Sequence, residues 1–150
     1  MSASTKLSNS VKALCFLARS MPEPQTSAAI SRNTGINASK VRMLLSALAK
    51  DGILKTIQGP SGGFLFRKDP CDIDLQQIYC ALEDRKAFHL DVTADPLNDR
   101  EETTLTNHYF LDLFSDIQVE IENKMKKIKL SHILEEIETR KKESRSRTAV

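Results

Sequence analysis

Few residues of this chain are spaced for covalent chemistry. Cys15, Cys71 and Cys80 stand at irregular intervals and His89, His108 and His132 are scattered, so neither a zinc-ligand spacing nor a disulfide framework is present. No nucleophile, base and acid form a recognisable set. The run Gly59-Pro60-Ser61-Gly62-Gly63 is not followed by Gly-Lys-Ser/Thr, which excludes a nucleotide-binding phosphate loop. These features predict a protein that is not an enzyme and that holds no metal or other cofactor. Cys15 falls in a buried helical stripe. Cys80 lies about 150° from the mean apolar direction of its helix at 100° per residue, and Cys71 precedes that helix in a polar segment. Cys71 and Cys80 are therefore the candidates for a redox switch.

What remains is recognition by charge and hydrogen bonding. The net charge of +2 hides a division: residues 1–68 hold ten Lys/Arg against Glu23 and Asp51 alone, and residues 69–150 hold twelve against eighteen acids. A half at +8 suits a polyanion, and a module that binds only a protein partner, the alternative reading, has no need of it. The chain is 40% apolar and 28% charged, as in a soluble globular protein. No apolar run approaches the ~18 residues needed to span a bilayer, and Met1 to Lys12 lacks the apolar core of a secretory signal. With three unpatterned cysteines, a reducing cytoplasm is expected.

The elements that must carry these charges are legible from periodicity. Val11, Leu14, Cys15 and Ala18 mark a first helix. A second, Ala-rich helix runs from about Thr26, its N-cap, to Asn33. A third carries Val41, Leu44, Leu45 and Leu48. A fourth carries Leu75, Ile78, Tyr79 and Leu82, opened by the capping-box pair Asp74 and Gln77. Between the second and third, Gly35 suits a left-handed helix stop, Asn37 an N-cap, and Ile36 with Val41 a hydrophobic staple. Two helices joined by such a turn make a helix-turn-helix. The third helix closes at Gly52. Ile53–Gln58 and Phe64–Arg67 then flank the Gly/Pro turn as a β-hairpin, placed where a wing belongs.

Residues Gly59-Pro60-Ser61-Gly62-Gly63-Phe64 and Ile73-Asp74-Leu75-Gln76-Gln77-Ile78, with Glu83 closing, resemble the Rrf-two family of bacterial winged-helix transcriptional regulators. The likeness extends back to Leu44 and forward into the C-terminal half. It implies a homodimer with crossed long helices that reads a pseudo-palindromic operator in double-stranded DNA, taken here as a repressor. Two departures stand out. Gln58 occupies the position before the first wing glycine where relatives often carry Arg. Cluster-binding relatives place three cysteines after the fourth helix, whereas residues 84–104 contain none, so no iron–sulfur cluster is expected. No motif specifies a small-molecule or protein effector.

On the helix-turn-helix reading the third helix enters the major groove. With its apolar stripe turned inward, Ser39, Arg42 and Ser46 point outward, flanked by Lys40 and Met43. Arg42 suits a guanine edge, and Ser39 a base edge or a phosphate. Thr26 and Ser27 open the second helix, where free N–H groups favour phosphate. Lys55, Gln58, Ser61 and Arg67 belong to the wing, and Ser8, Asn9 and Lys12 are placed near phosphate at the start of the first helix.

Downstream, residues 84–104 read as an exposed loop. Phe110, Phe114, Ile117, Ile121, Met125 and Ile128 then recur at a helical period over a long helix at 105–129, a stripe too large to leave wet and hence a dimerisation face. Ser131 is expected to cap a short last helix with Ile133, Leu134 and Ile137. The expected organisation is a winged helix-turn-helix at 1–83, the loop at 84–104, the dimerisation and short C-terminal helices at 105–139, and a disordered basic tail at 140–150.

Overall fold

The computed structural model describes residues 3–83 and 100–149. Over these the chain forms α1 (Ala3–Ser20), α2 (Ser27–Thr34), α3 (Ala38–Lys50), β1 (Leu54–Ile57), β2 (Gly63–Phe66), α4 (Leu75–Leu82), α5 (Glu101–Lys126) and α6 (Leu130–Thr148). The class is mainly α with one antiparallel hairpin, as expected.

Local signals fix the helix-turn-helix. Thr26 caps α2 by accepting from the Ala29 amide, and Gly35 ends it in the left-handed region at φ 75°, its N–H donating to Ser31. Asn37 caps α3, and Ile36 and Val41 on either side of the cap are both buried, which sets the angle between the helices. The inward face of α3 (Val41, Leu45, Leu48) meets Leu14 and Leu17 of α1, Ile30 of α2, and Ile53, Leu54, Phe64 and Phe66 of the hairpin in one core.

The hairpin pairs Leu54 with Phe66 and Ile57 with Gly63. A third, one-residue strand completes it: Gln25 and Phe64 exchange both backbone bonds, at 3.1 and 2.8 Å. That bridge explains Gly63, and the tight turn itself explains Gly62. A Cβ on Gly63 would lie 2.5 Å from the Gln25 backbone, at a φ of 147° that side chains rarely adopt, and a Cβ on Gly62 would collide with the Ile57 carbonyl.

The turn between α5 and α6 belongs to the same core. The Leu75 amide donates to Ile128 (2.9 Å) and the Leu130 amide to Ile73 (2.8 Å), clipping this corner to the start of α4, and Leu130 is fully buried.

Several expected boundaries move. The helix α1 starts at Ala3, so Ser8, Asn9 and Lys12 lie inside it rather than at its start. The expected loop at 84–104 gives way to helix from Glu101, and its residues 84–99 lie outside the described residues. The long helix ends at Lys126, which leaves Ile128 in the turn. The last helix is not short: α6 starts at Leu130 without a side-chain cap from Ser131 and continues to Thr148, through the segment expected to be disordered. Beyond Ile137 no apolar stripe holds it. Arg140–Glu136 (2.9 Å) and Lys141–Glu138 (3.0 Å) pairs and basic residues in the last turn favour the helix instead.

Candidate nucleic-acid interface

The outward face of α3 carries Ser39, Lys40, Arg42, Met43 and Ser46, all exposed or partly so, because the apolar residues of the helix turn to the core. Met43 is half-exposed at 51%, a large apolar side chain offered to solvent. Lys40 and Arg42 form no ion pair among the described residues. Ser39 is different. Its backbone N–H donates to Asn37 Oδ1 at 2.9 Å and its hydroxyl donates to the same oxygen at 2.6 Å. The hydroxyl proton is thereby committed, and only acceptor capacity faces outward.

At α2, the Thr26 side chain satisfies the Ala29 amide (3.1 Å), so the first-turn N–H groups of Ser27 and Ala28 are left for an anion. Gln58 and Ser61 lie at the exposed wing tip, and Lys55 stands opposite Leu65 along the ladder. Arg67 is not at the tip. Its amide donates to Ile53 at 3.0 Å, at the base of the hairpin, about 13 Å along the strand from Gly63 at ~3.3 Å per residue. The structure thus ties the segment before α2 to the wing through the Gln25–Phe64 bridge, and places Arg67 at the base of the hairpin.

The α5 stripe divides. Met125 is buried and Ile128 lies in the clipped turn, so the C-terminal end is spent within the chain's own fold. Phe114, Ile117 and Ile121 are half-buried, with Gln118 buried beside them and bonded to Glu122 at 2.8 Å. Towards the N-terminal end apolar side chains are open: Phe110, stacked on Phe114 with centroids 6.1 Å apart, and also Leu105, Tyr109, Leu111 and Leu113. Val119 is exposed as well. Periodicity found one line along this helix. The additional residues flank that line, with Leu105, Tyr109 and Leu113 forming a second short stripe at i, i+4, i+8.

Cys15 is buried, and desolvation pushes its thiol up, with Arg19 opposing. Cys80 is exposed, yet desolvation by its surroundings and then the Glu122 carboxylate hold its thiol above the ordinary value, while Gln76 Nε2 donates to its sulfur at 3.3 Å. Cys71 is exposed, and its amide donates to Asp69 at 2.8 Å, a bond that holds the Asp69 carboxyl below its usual range.

A helix-turn-helix followed by a hairpin wing defines the winged-helix class. Within that class, the family model Rrf2, "Iron-dependent Transcriptional regulator", matches residues 3–136. The chain belongs to the Rrf2 family, whose members are DNA-binding regulators of transcription and not enzymes. It is 34% identical over 61 residues to the HTH-type transcriptional regulator IscR of Photorhabdus laumondii, a stretch covering 41% of this chain and 37% of that protein. The IscR of Escherichia coli K12 is matched equally, over 38% of its length. In fold the chain is similar to T. potens IscR (TM-score 0.67, 22% identity, 91% of this chain and 88% of that one). It is also similar to a transcriptional regulator from Lactobacillus plantarum (0.76, 16%, 89% and 89%) and to CymR, the global cysteine regulator of B. subtilis (0.64, 20%, 87% and 94%).

The family's description raises iron. A cluster needs several thiolates converging on one point. Cys15 is sealed in the core, Cys71 and Cys80 stand on other elements, and among the described residues no three His, Cys, Asp or Glu are grouped to hold a metal. Residues 84–99 add no cysteine. The residues present do not fit a cluster. Among the described residues, no helix is long and apolar enough to cross a membrane.

Proposed function

We propose that this protein is a sequence-specific DNA-binding repressor that acts as a homodimer on a pseudo-palindromic operator in a bacterial cytoplasm. The observation that carries the reading is the outward face of α3, where Arg42 and Lys40 are exposed beside a wing, in a half-chain with ten basic and two acidic residues.

In this reading α3 lies in the major groove with its N-terminal half nearest the bases. Arg42 forks onto O6 and N7 of a guanine, and Met43 offers apolar contact to a thymine methyl. Ser39, its proton held by Asn37, accepts from an amino group such as adenine N6 or cytosine N4. Lys40 and Ser46 meet phosphate, as do the α2 amides of Ser27 and Ala28 and the Thr26 hydroxyl region. Lys55, Gln58 and Ser61 follow the backbone beside the groove, with Arg67 further out. A dimer formed along α5 sets two such surfaces about one helical turn, ~34–36 Å, apart. Bound across a promoter, it excludes polymerase.

Selection of duplexes from a randomised pool by the full chain tests this. Enrichment of a two-fold related pair of half-sites is expected. No enrichment, with the protein retained instead on a protein partner, contradicts it.

A further inference from the structure

The C-terminal end of α6 has no part in the reading above. Residues 140–150 hold five Lys/Arg and one acid, whereas residues 69–139 hold seven and seventeen, so the sign of the charge inverts at Arg140. Every residue from Glu138 to Ala149 is exposed, and Arg140 to Thr148 project as about 13 Å of helix at 1.5 Å per residue. Lys142, Arg145 and Arg147 form no ion pair among the described residues.

The base of this segment has a definite address. Leu134, Glu138 and Lys142 line a cleft with Ala18 and Arg19, at the C-terminal end of α1. From there the chain runs to Gln25, which pairs with Phe64 of the wing, and to Thr26, which caps α2. At 100° per residue, Lys141 and Arg145 fall within about 20° of the direction of Leu134, and Lys142 within about 80°. Lys141, Lys142 and Arg145 therefore continue the side of α6 that is turned to this corner, whereas Arg140 and Arg147, about 120° and 140° from Leu134, extend the charge around the rest of the helix. A helix dipole is offset by the charges of the last turn, but Lys141 and Lys142 precede it.

We propose that residues 140–148 are a basic arm that lies against backbone phosphates of duplex DNA flanking the site read by α3 and the wing. The proposal rests on the DNA-binding reading above. The arm carries no sequence information; it adds affinity and salt dependence.

The test compares the full chain with K142Q/R145Q/R147Q, glutamine being a comparable helix former. Circular dichroism checks that helix content is kept. Both proteins are titrated over a range of salt on the duplex that the wild type enriches, once with long flanks and once trimmed to the operator. The variant should match the wild type on the trimmed duplex and bind the flanked one about tenfold more weakly at low salt. Its log affinity against log salt should be shallower by about 0.9 for each phosphate that is no longer neutralised. An unchanged slope on the flanked duplex overturns the arm and leaves the surface to an acidic protein. Equal losses on both duplexes with unchanged slopes also overturn it, as a structural effect. A wild type that binds neither duplex sinks the arm together with the reading beneath it, an outcome distinct from either of the others.

Discussion

Gln25 and Phe64 exchange two backbone hydrogen bonds, and through them the wing is fastened to the segment between α1 and α2 rather than left as a free hairpin. The wing and the segment that leads into α2 are thereby joined directly by backbone bonds. Gly63→Ala places a methyl group against the Gln25 backbone at an unfavourable φ. It should lower stability by about 1–3 kcal/mol and weaken DNA binding through the wing. Urea unfolding measures the first effect, and an unchanged midpoint would show that the strand has room to move.

The two ends of α5 should respond differently to substitution. Tyr109 is 64% exposed and Leu113 36%, whereas Met125 is 9% exposed. Tyr109→Glu with Leu113→Glu should convert a dimer to a folded monomer, since burying such side chains stabilises by roughly 1.5–3 kcal/mol each. Met125→Ala should instead destabilise the protomer, by about 2–5 kcal/mol. Sedimentation and thermal unfolding separate the two. A monomeric wild type contradicts the pairing.

The cysteines carry a third expectation. Because burial and Glu122 raise the Cys80 thiol, its thiolate forms only at higher pH than that of an ordinary cysteine. In Cys71→Ser protein, alkylation of Cys80 should be slow at neutral pH, with a rate that rises through a pH above the usual thiol range. Glu122→Gln should bring that pH down. Fast alkylation near neutrality would reverse the assignment and make Cys80 the more reactive switch candidate.

Iron offers a fourth check. The family is described as iron-dependent, yet the thiols of this chain do not converge. Protein purified without oxygen should contain no acid-labile sulfide. Near-stoichiometric iron and sulfide would show that the ligands come together in a way the sequence and the fold do not indicate.

Much of the winged helix was legible before the structure, because its signals are local. Asn37, Gly35 and the Asp74–Gln77 box each act within four residues, and the stripes of α3 and α4 are strongly periodic. The Gln25–Phe64 bridge was not, since a one-residue strand has no period. The helix through Arg140 to Thr148 was missed because it rests on ion pairs and charge rather than on an apolar face. At the site, the exposed residues of α3 followed from the inward stripe. The commitment of the Ser39 proton to Asn37 is a matter of ångströms that spacing does not encode.

If α3 reads bases as proposed, the substitution Arg42→Ala should reveal it. Affinities of wild type and variant are measured on the enriched operator and on a scrambled duplex of the same length, at several salt concentrations. The expected result is a loss of about 1–3 kcal/mol on the operator with relaxed preference at one position per half-site, and little change on the scrambled duplex. Equal losses on both duplexes, with a shallower salt slope, would show that Arg42 clamps phosphate and that the bases are read elsewhere.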